Sequence, residues 1–240
     1  MSRMLVLFVL LVALAAVPVK GADDEKPQRL TLDAARTRIG AYLLAEKPQL
    51  RLGDDFALVE MTTDTIWKRL GVQVFKAKSG LSETATFVIR GNEVHRIGRA
   101  FGGDGVGSLA VADLAGDKKP LLVYAFAWGS GEHRSEIAVL DVLAKTPKEV
   151  AATPVNYSFN DFRVNGVDDV SVEVFAGKIK VGRLVLEKKE GQANLSIRLE
   201  EKLPEAIRKQ LRRASVRTRC AGSDGIDLHS PSMPCRRVSR

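Results

Sequence analysis

Hydrophobic residues in this chain recur first with a helical spacing and then with a period of two. Thr31 and Asp33 are placed to cap a helix whose apolar positions Leu32, Ala35, Ile39, Tyr42 and Leu43 share one face. Pro48 follows as a stop signal. A shorter helix is expected from Thr63 to Leu70, with Ile66, Trp67 and Leu70 on its buried side. From Val72 the period changes: Val72, Val74 and Phe75 open a strand. Ala85, Phe87 and Ile89 alternate with Thr84, Thr86 and Val88, and Gly91-Asn92 makes a tight turn into Val94 to Ile97. Leu121 to Trp128 is the strongest strand. Leu122, Tyr124, Phe126 and Trp128 lie on one face and Leu121, Val123, Ala125 and Ala127 on the other, so both faces are expected to be covered.

Ile137 to Leu143 is the expected hairpin partner of that strand, across the loop Gly129 to Ser135. The later chain reads as a meander. Val170, Val172 and Val174 alternate with Ser171 and Glu173, and Ala176-Gly177-Lys178 turns the chain into a strand beginning at Ile179 and Val181. Ala193, Leu195, Ile197 and Leu199 then alternate with polar residues on a half-buried strand. Short turns favour hairpins over crossovers. The expected fold class is mainly β: an antiparallel meander or open sheet of blade-like hairpins, with one N-terminal helix, in a single domain over residues 30–203.

The ends of the chain have a different character. Arg3 precedes an unbroken apolar run from Leu5 to Val17, long enough for a signal-peptide core and short of a membrane span. Cleavage is expected before Ala22, with Ala13 to Ala15 as an earlier site. No Cys lies nearby to carry a lipid. Residues 1–21 thus read as a signal peptide and 22–29 as a linker, which places the mature protein in the periplasm or outside the cell.

Charge refines this picture. The formal net charge of +8 suggests nucleic acid until it is located. From Glu201 onward the tail carries +6, and Arg3 and Lys20 supply the remaining two, so residues 22–200 are neutral. No specific nucleic-acid binding is expected of such a body. After Pro204 a basic helix is expected over Glu205 to Ala214, and the remainder lacks periodicity and reads as disordered, giving a basic tail over residues 204–240. Its Arg208, Lys209, Arg212, Arg213, Arg217 and Arg219 suit an anionic envelope surface. Cys220 and Cys235 lie in this tail, where an oxidising compartment would let them pair as a disulfide.

One loop carries a resemblance. Phe101-Gly102-Gly103-Asp104-Gly105-Val106-Gly107 leads into Ser108 to Val123 through Asp113-Leu114-Ala115-Gly116-Asp117-Lys118-Lys119-Pro120-Leu121. This resembles one copy of the FG-GAP or VCBS repeat of extracellular β-propellers, in which a strand enters a calcium loop of the form D-x-D-G-D-G-x-x-D and a second strand leaves it. The resemblance covers about 40 residues and occurs once, whereas a propeller needs several blades. A closed propeller is therefore not expected. Asp113 and Asp117 match the first and fifth loop positions. Ala115, Lys118 and Leu121 replace the third carboxylate, the glycine and the last carboxylate. Calcium takes about 6–8 oxygens, and two acids beside Lys118 and Lys119 are poor provision for it. No cofactor or metal is expected.

The loop Trp128-Gly129-Ser130-Gly131-Glu132-His133-Arg134-Ser135-Glu136 holds the densest polar chemistry. It is similar to tryptophan–glycine–serine–glycine loops of small exported bacterial proteins without assigned activity. Ser130, Glu132, His133 and Arg134 are the binding candidates, since two glycines allow close approach and these side chains offer varied polar groups. A nucleophile elbow G-x-S-x-G is absent, because Ser130 lies directly between two glycines. His95 and His229 lack companions at ligand spacing. Gly103 to Gly107 precedes a strand and so is no dinucleotide fingerprint. The expected function is an exported, non-catalytic binding or structural protein of the cell envelope. Its rivals are a hydrolase using Ser130 and His133, and a calcium-dependent adhesion module.

Overall fold

The computed structural model describes residues 28–49, 56–78, 84–98, 104–129, 134–155, 162–209 and 211. Helix α1 (Leu32–Glu46) begins where Thr31 accepts the Ala34 amide at 3.3 Å. It buries Ala35, Ile39 and Leu43, as the spacing predicts, but Leu32 stays exposed. Leu32 is the first helical residue. Tyr42 is half-buried, edge-on to Phe87 at 5.8 Å.

Strand β1 (Ala57–Glu60) precedes helix α2 (Asp64–Leu70), which Thr63 caps and Gly71 ends in the left-handed region at φ 63°. Ile66 and Leu70 are buried. Trp67 is only half-buried and lies beneath the Arg29 guanidinium, 5.4 Å from the ring centre.

Strands β2 (Gln73–Lys78), β3 (Thr84–Arg90) and β4 (Glu93–Ile97) complete a first sheet in the order β1-β2-β3-β4. The second sheet is β5 (Gly105–Ala112), β6 (Leu121–Trp128), β7 (Arg134–Asp141) and β8 (Lys148–Ala152). The third is β9 (Phe162–Gly166), β10 (Val172–Ala176), β11 (Ile179–Lys189) and β12 (Gln192–Leu199). Among the described residues every strand pairing is antiparallel, and each sheet is a four-stranded meander in chain order with open edges. The mainly β, antiparallel and unclosed architecture expected from the sequence is the one observed.

Three apolar clusters stack these parts in layers. Ala35, Ile39 and Leu43 of α1 meet Phe75, Ala77, Phe87 and Ile89 on one face of the first sheet. Val74, Val88 and Ile97 on its other face meet Leu122, Tyr124, Phe126 and Leu140 of the second. The opposite face of that second sheet, with Leu121, Val123, Ala125, Ile137 and Val139, meets Val164, Val172, Val174 and Leu195 of the third. Strand β6 is therefore covered on both faces, as its composition demands.

A bulge at Gly107 distributes β5 between the two layers. Val106 pairs with Phe126 and Ser108 with Ala125, so one residue is skipped. Without it Val106 and Ser108 would share a face. With it Val106 joins the cluster against the first sheet, while Ser108 accepts the Val164 amide of the third at 2.8 Å. Long cations tie the layers at strand ends. Arg90 donates to the carbonyls of Val142, Ala144 and Lys145, and Arg69 to the Val111 carbonyl and the Asp169 carboxylate. Carbonyls left over where strands end are thereby satisfied.

Two departures from the sequence reading have local causes. Val170 is exposed and outside the sheet, because Asp168 accepts its amide at 2.9 Å and Val167 bonds Ser171 in a turn. Ile179, the first residue of β11, is exposed as well. At the C-terminal end residues 205–209 are helical, and Ile207 and Leu211 rest on the core between the second and third sheets. Residues 1–27 and 212–240, including the expected leader, most of the expected linker, Cys220, Cys235 and His229, lie outside the described residues. Among the described residues no helix is long and apolar enough to cross a membrane.

Phe126 is 3% exposed, with its ring 5.5 Å from that of Tyr124. Phe126→Ala is expected to cost about 3–5 kcal/mol in a denaturant melt. A loss under about 1 kcal/mol would contradict the packed interface between the first two sheets.

Candidate functional site

The end of β6 and the start of β7 bring buried polar and charged groups together. Trp128 and Arg134 are directly paired across the hairpin, and the guanidinium carbon lies 4.8 Å from the indole centre. Such a cation–π contact contributes about 0.5–2 kcal/mol, more where water is excluded. Two residues along β7, Glu136 is 3% exposed and pairs with Phe126. Strand alternation puts Glu136, Phe126 and Trp128 on the face turned toward the first sheet.

From the first sheet, Lys76 and Thr86 face the same interface as a directly paired couple. The Lys76 ammonium donates to the Val106 carbonyl at 3.2 Å, and Val106 is the register neighbour of Phe126. One row therefore runs from Lys76 through Val106 and Phe126 to Glu136. The Thr86 hydroxyl is buried, the residue being 1% exposed, and has no hydrogen-bond partner. A hydroxyl in that position costs stability unless something accepts or donates to it. Sequence patterning saw Thr86 only as the polar half of an alternating strand. Its burial follows from the second sheet lying over it, which no local period reports.

Further along the same face Tyr124 donates to Glu149 at 2.9 Å. Burial pushes its phenol pKa up, and the Glu149 charge pushes in the same direction. Tyr124 thus stays a protonated donor at any physiological pH. It fastens β8 to β6 and has no use as a base. His95 lies on β4 with its Nε2 3.5 Å from a Glu93 oxygen. That geometry does not make a hydrogen bond, and the pair is ionic only when the imidazole is protonated. The Glu93 carboxyl is held below the usual range first by Arg90 and then by His95.

Of the four binding candidates, Arg134 is described and faces Trp128. Ser130, Glu132 and His133 lie outside the described residues.

The two acids of the calcium-loop resemblance serve the turn itself. Asp113 is 8% exposed and accepts the Asp117 amide at 3.2 Å and the Lys118 amide at 2.7 Å, one on each carboxylate oxygen. Lys118 has φ 64°, an uncommon value for a residue with a side chain, and the Asp113 bond holds its amide there. Asp117 accepts the Lys119 amide and pairs with Lys188 of β11 at 2.8 Å, which lowers its pKa. Lys119 in turn pairs with Asp141. Among the described residues no three His, Cys, Asp or Glu side chains gather as a group able to hold a metal.

Compared with family models, curated proteins and solved structures, the chain matches none of them.

Removing the buried Asp113 carboxylate takes its charged acceptor from two backbone amides of an exposed turn. Asp113→Ala is expected to lower stability by about 1–3 kcal/mol. Thermal melts of wild type and variant should differ by the same amount in millimolar calcium and in chelator. A calcium-induced rise in melting temperature that Asp113→Ala abolishes would show that the acids serve a cation instead.

Proposed function

We propose that this protein is an exported, non-catalytic binding protein of the cell envelope, and that it holds its ligand at the end of β6 and β7. The observation that carries this reading is the pairing of Arg134 with Trp128 beside buried Glu136. An interface between two sheets is most stable when filled with apolar groups, and a carboxylate there costs free energy unless it is paired. Around these groups the interface is largely apolar, with Val74, Val88, Leu122 and Phe126 in one cluster. Polar groups gathered where β6 ends and β7 begins are what recognition requires. An indole, a guanidinium and a carboxylate are groups that hold a polar ligand.

Export rests on the leader-like segment Arg3 to Gly21 and its apolar core. The neutral body and basic tail suit an envelope location, where the tail meets anionic polymers or lipids.

Protein extracted from its native host should have an intact mass corresponding to a start near Ala22. A full-length N-terminus in a cytoplasmic fraction would refute export. Binding is read by Trp128 fluorescence in a Trp67→Phe background, titrated with a soluble polysaccharide fraction of the envelope. Saturable quenching that Glu136→Gln removes is expected. If a serine-directed covalent probe labels Ser130 and Ser130→Ala blocks labelling, the protein is a hydrolase and this reading fails.

A further inference from the structure

The outer face of the third sheet contains an arrangement that folding alone disfavours. Arg183 of β11 and Arg198 of β12 are directly opposite each other, and both are exposed. Like charges in that relation destabilise an antiparallel pair. Among the described residues neither guanidinium has a carboxylate within ion-pair distance. Glu173, the register neighbour of Arg183 on its other side, is committed to Lys180 at 2.7 Å. Glu200 is committed to the same lysine at 3.1 Å.

The two strands are also pressed together at this point. At Gly182, the neighbour of Arg183, a Cβ would lie 2.2 Å from the Arg198 carbonyl oxygen. The Arg198 backbone therefore lies close against β11, an approach that any side chain at Gly182 would block. Both arginines line an open groove of about 640 Å³, together with Lys180, Glu200, Glu201 and Lys202.

We infer that Arg183 and Arg198 form a phosphate-binding pair on this face, a site separate from the one at the end of β6. The argument is one of charge and valence. A carboxylate has two oxygens and one charge, which a single guanidinium fork satisfies. A phosphomonoester brings about −1.5 to −2 charges and three acceptor oxygens, matching two opposed forks. Its arrival converts the repulsion between Arg183 and Arg198 into attraction through a shared anion. The phosphate can belong to a soluble sugar phosphate or to a lipid headgroup.

The test uses the full-length mature chain, so the basic tail is the same in every variant. Thermal melts are recorded with glucose 6-phosphate, with inorganic phosphate, and with sodium chloride at matched ionic strength. Vesicles of phosphatidylcholine containing phosphatidic acid are compared with phosphatidylcholine alone in a flotation assay.

A phosphate-dependent rise in melting temperature that chloride does not reproduce is expected. Arg183→Gln or Arg198→Gln should weaken the phosphate affinity by roughly tenfold or more. In phosphate-free buffer of low ionic strength the same substitutions should raise the melting temperature, because the repulsion is gone. Binding of glucose 6-phosphate without vesicle flotation identifies a soluble source, and Arg-dependent flotation identifies a lipid one.

Three results would overturn the inference: an equal shift with chloride, undiminished phosphate affinity in the double Arg183→Gln/Arg198→Gln variant, or a lower melting temperature of Arg183→Gln without phosphate. The second would assign phosphate binding to the basic tail. The third would mean that Arg183 stabilises the fold.

Discussion

Burial of β6 on both faces is the constraint from which the rest of the structure follows. A strand with Leu122, Tyr124 and Phe126 on one side and Leu121, Val123 and Ala125 on the other needs two covering layers. The first and third sheets supply them. The first sheet then has its own far face to bury, and α1 covers it with Ala35, Ile39 and Leu43. The third sheet ends the stack with a polar outer face, where Arg183, Glu187 and Arg198 are exposed. Layering of this kind moves polar chemistry to two places: strand ends inside the stack, and the last sheet's free face.

Both places carry charge that the fold has had to accommodate. Inside, the row from Lys76 to Glu136 and the Tyr124–Glu149 bond are polar groups in an otherwise apolar interface. Outside, Arg183 faces Arg198 across two strands that Gly182 holds in close contact. The many other charges along strand ends have plain structural employment. Arg69 and Arg90 satisfy carbonyls left over where strands stop, and Lys188 reaches across to Asp117. Arg183 and Arg198, with no carboxylate in ion-pair reach among the described residues, differ in this from the charges that finish the architecture.

The loop resembling a calcium-binding repeat illustrates how a motif can be used for geometry. Asp113 takes two backbone amides, one of them from a residue at positive φ, and so shapes the connection between β5 and β6. A cation would compete with those amides for the same oxygens. Lys118, which stands where the resembled repeat has glycine, and Lys119 beside it then add positive charge to a turn that binds itself. The turn leaves β6 in register with β5 from Ala112↔Leu121 onward, which is what the central strand needs from it.

The sequence by itself determined the local elements whose period or capping is strong. Thr31 and α1, Thr63 and α2, the hairpins around Gly91 and Gly177, and the doubly apolar β6 are all visible as patterns, because side-chain periodicity reports the burial of a local face. It reports nothing about which layer covers that face. Short edge strands such as β1, β8 and β9 have weak patterns and exist through pairing with stronger neighbours. The bulge at Gly107, which turns Val106 one way and Ser108 the other, follows from two sheets competing for one strand. The loop from Trp128 to Glu136 was legible as polar, yet the burial of Glu136 and Thr86 was not, since their cover comes from chain far away in sequence. Arg183 and Arg198 are fifteen residues apart and read as unrelated surface charges. Only the register between β11 and β12 brings them face to face, and register is set by the turn and the shared core, a tertiary choice that neither arginine encodes.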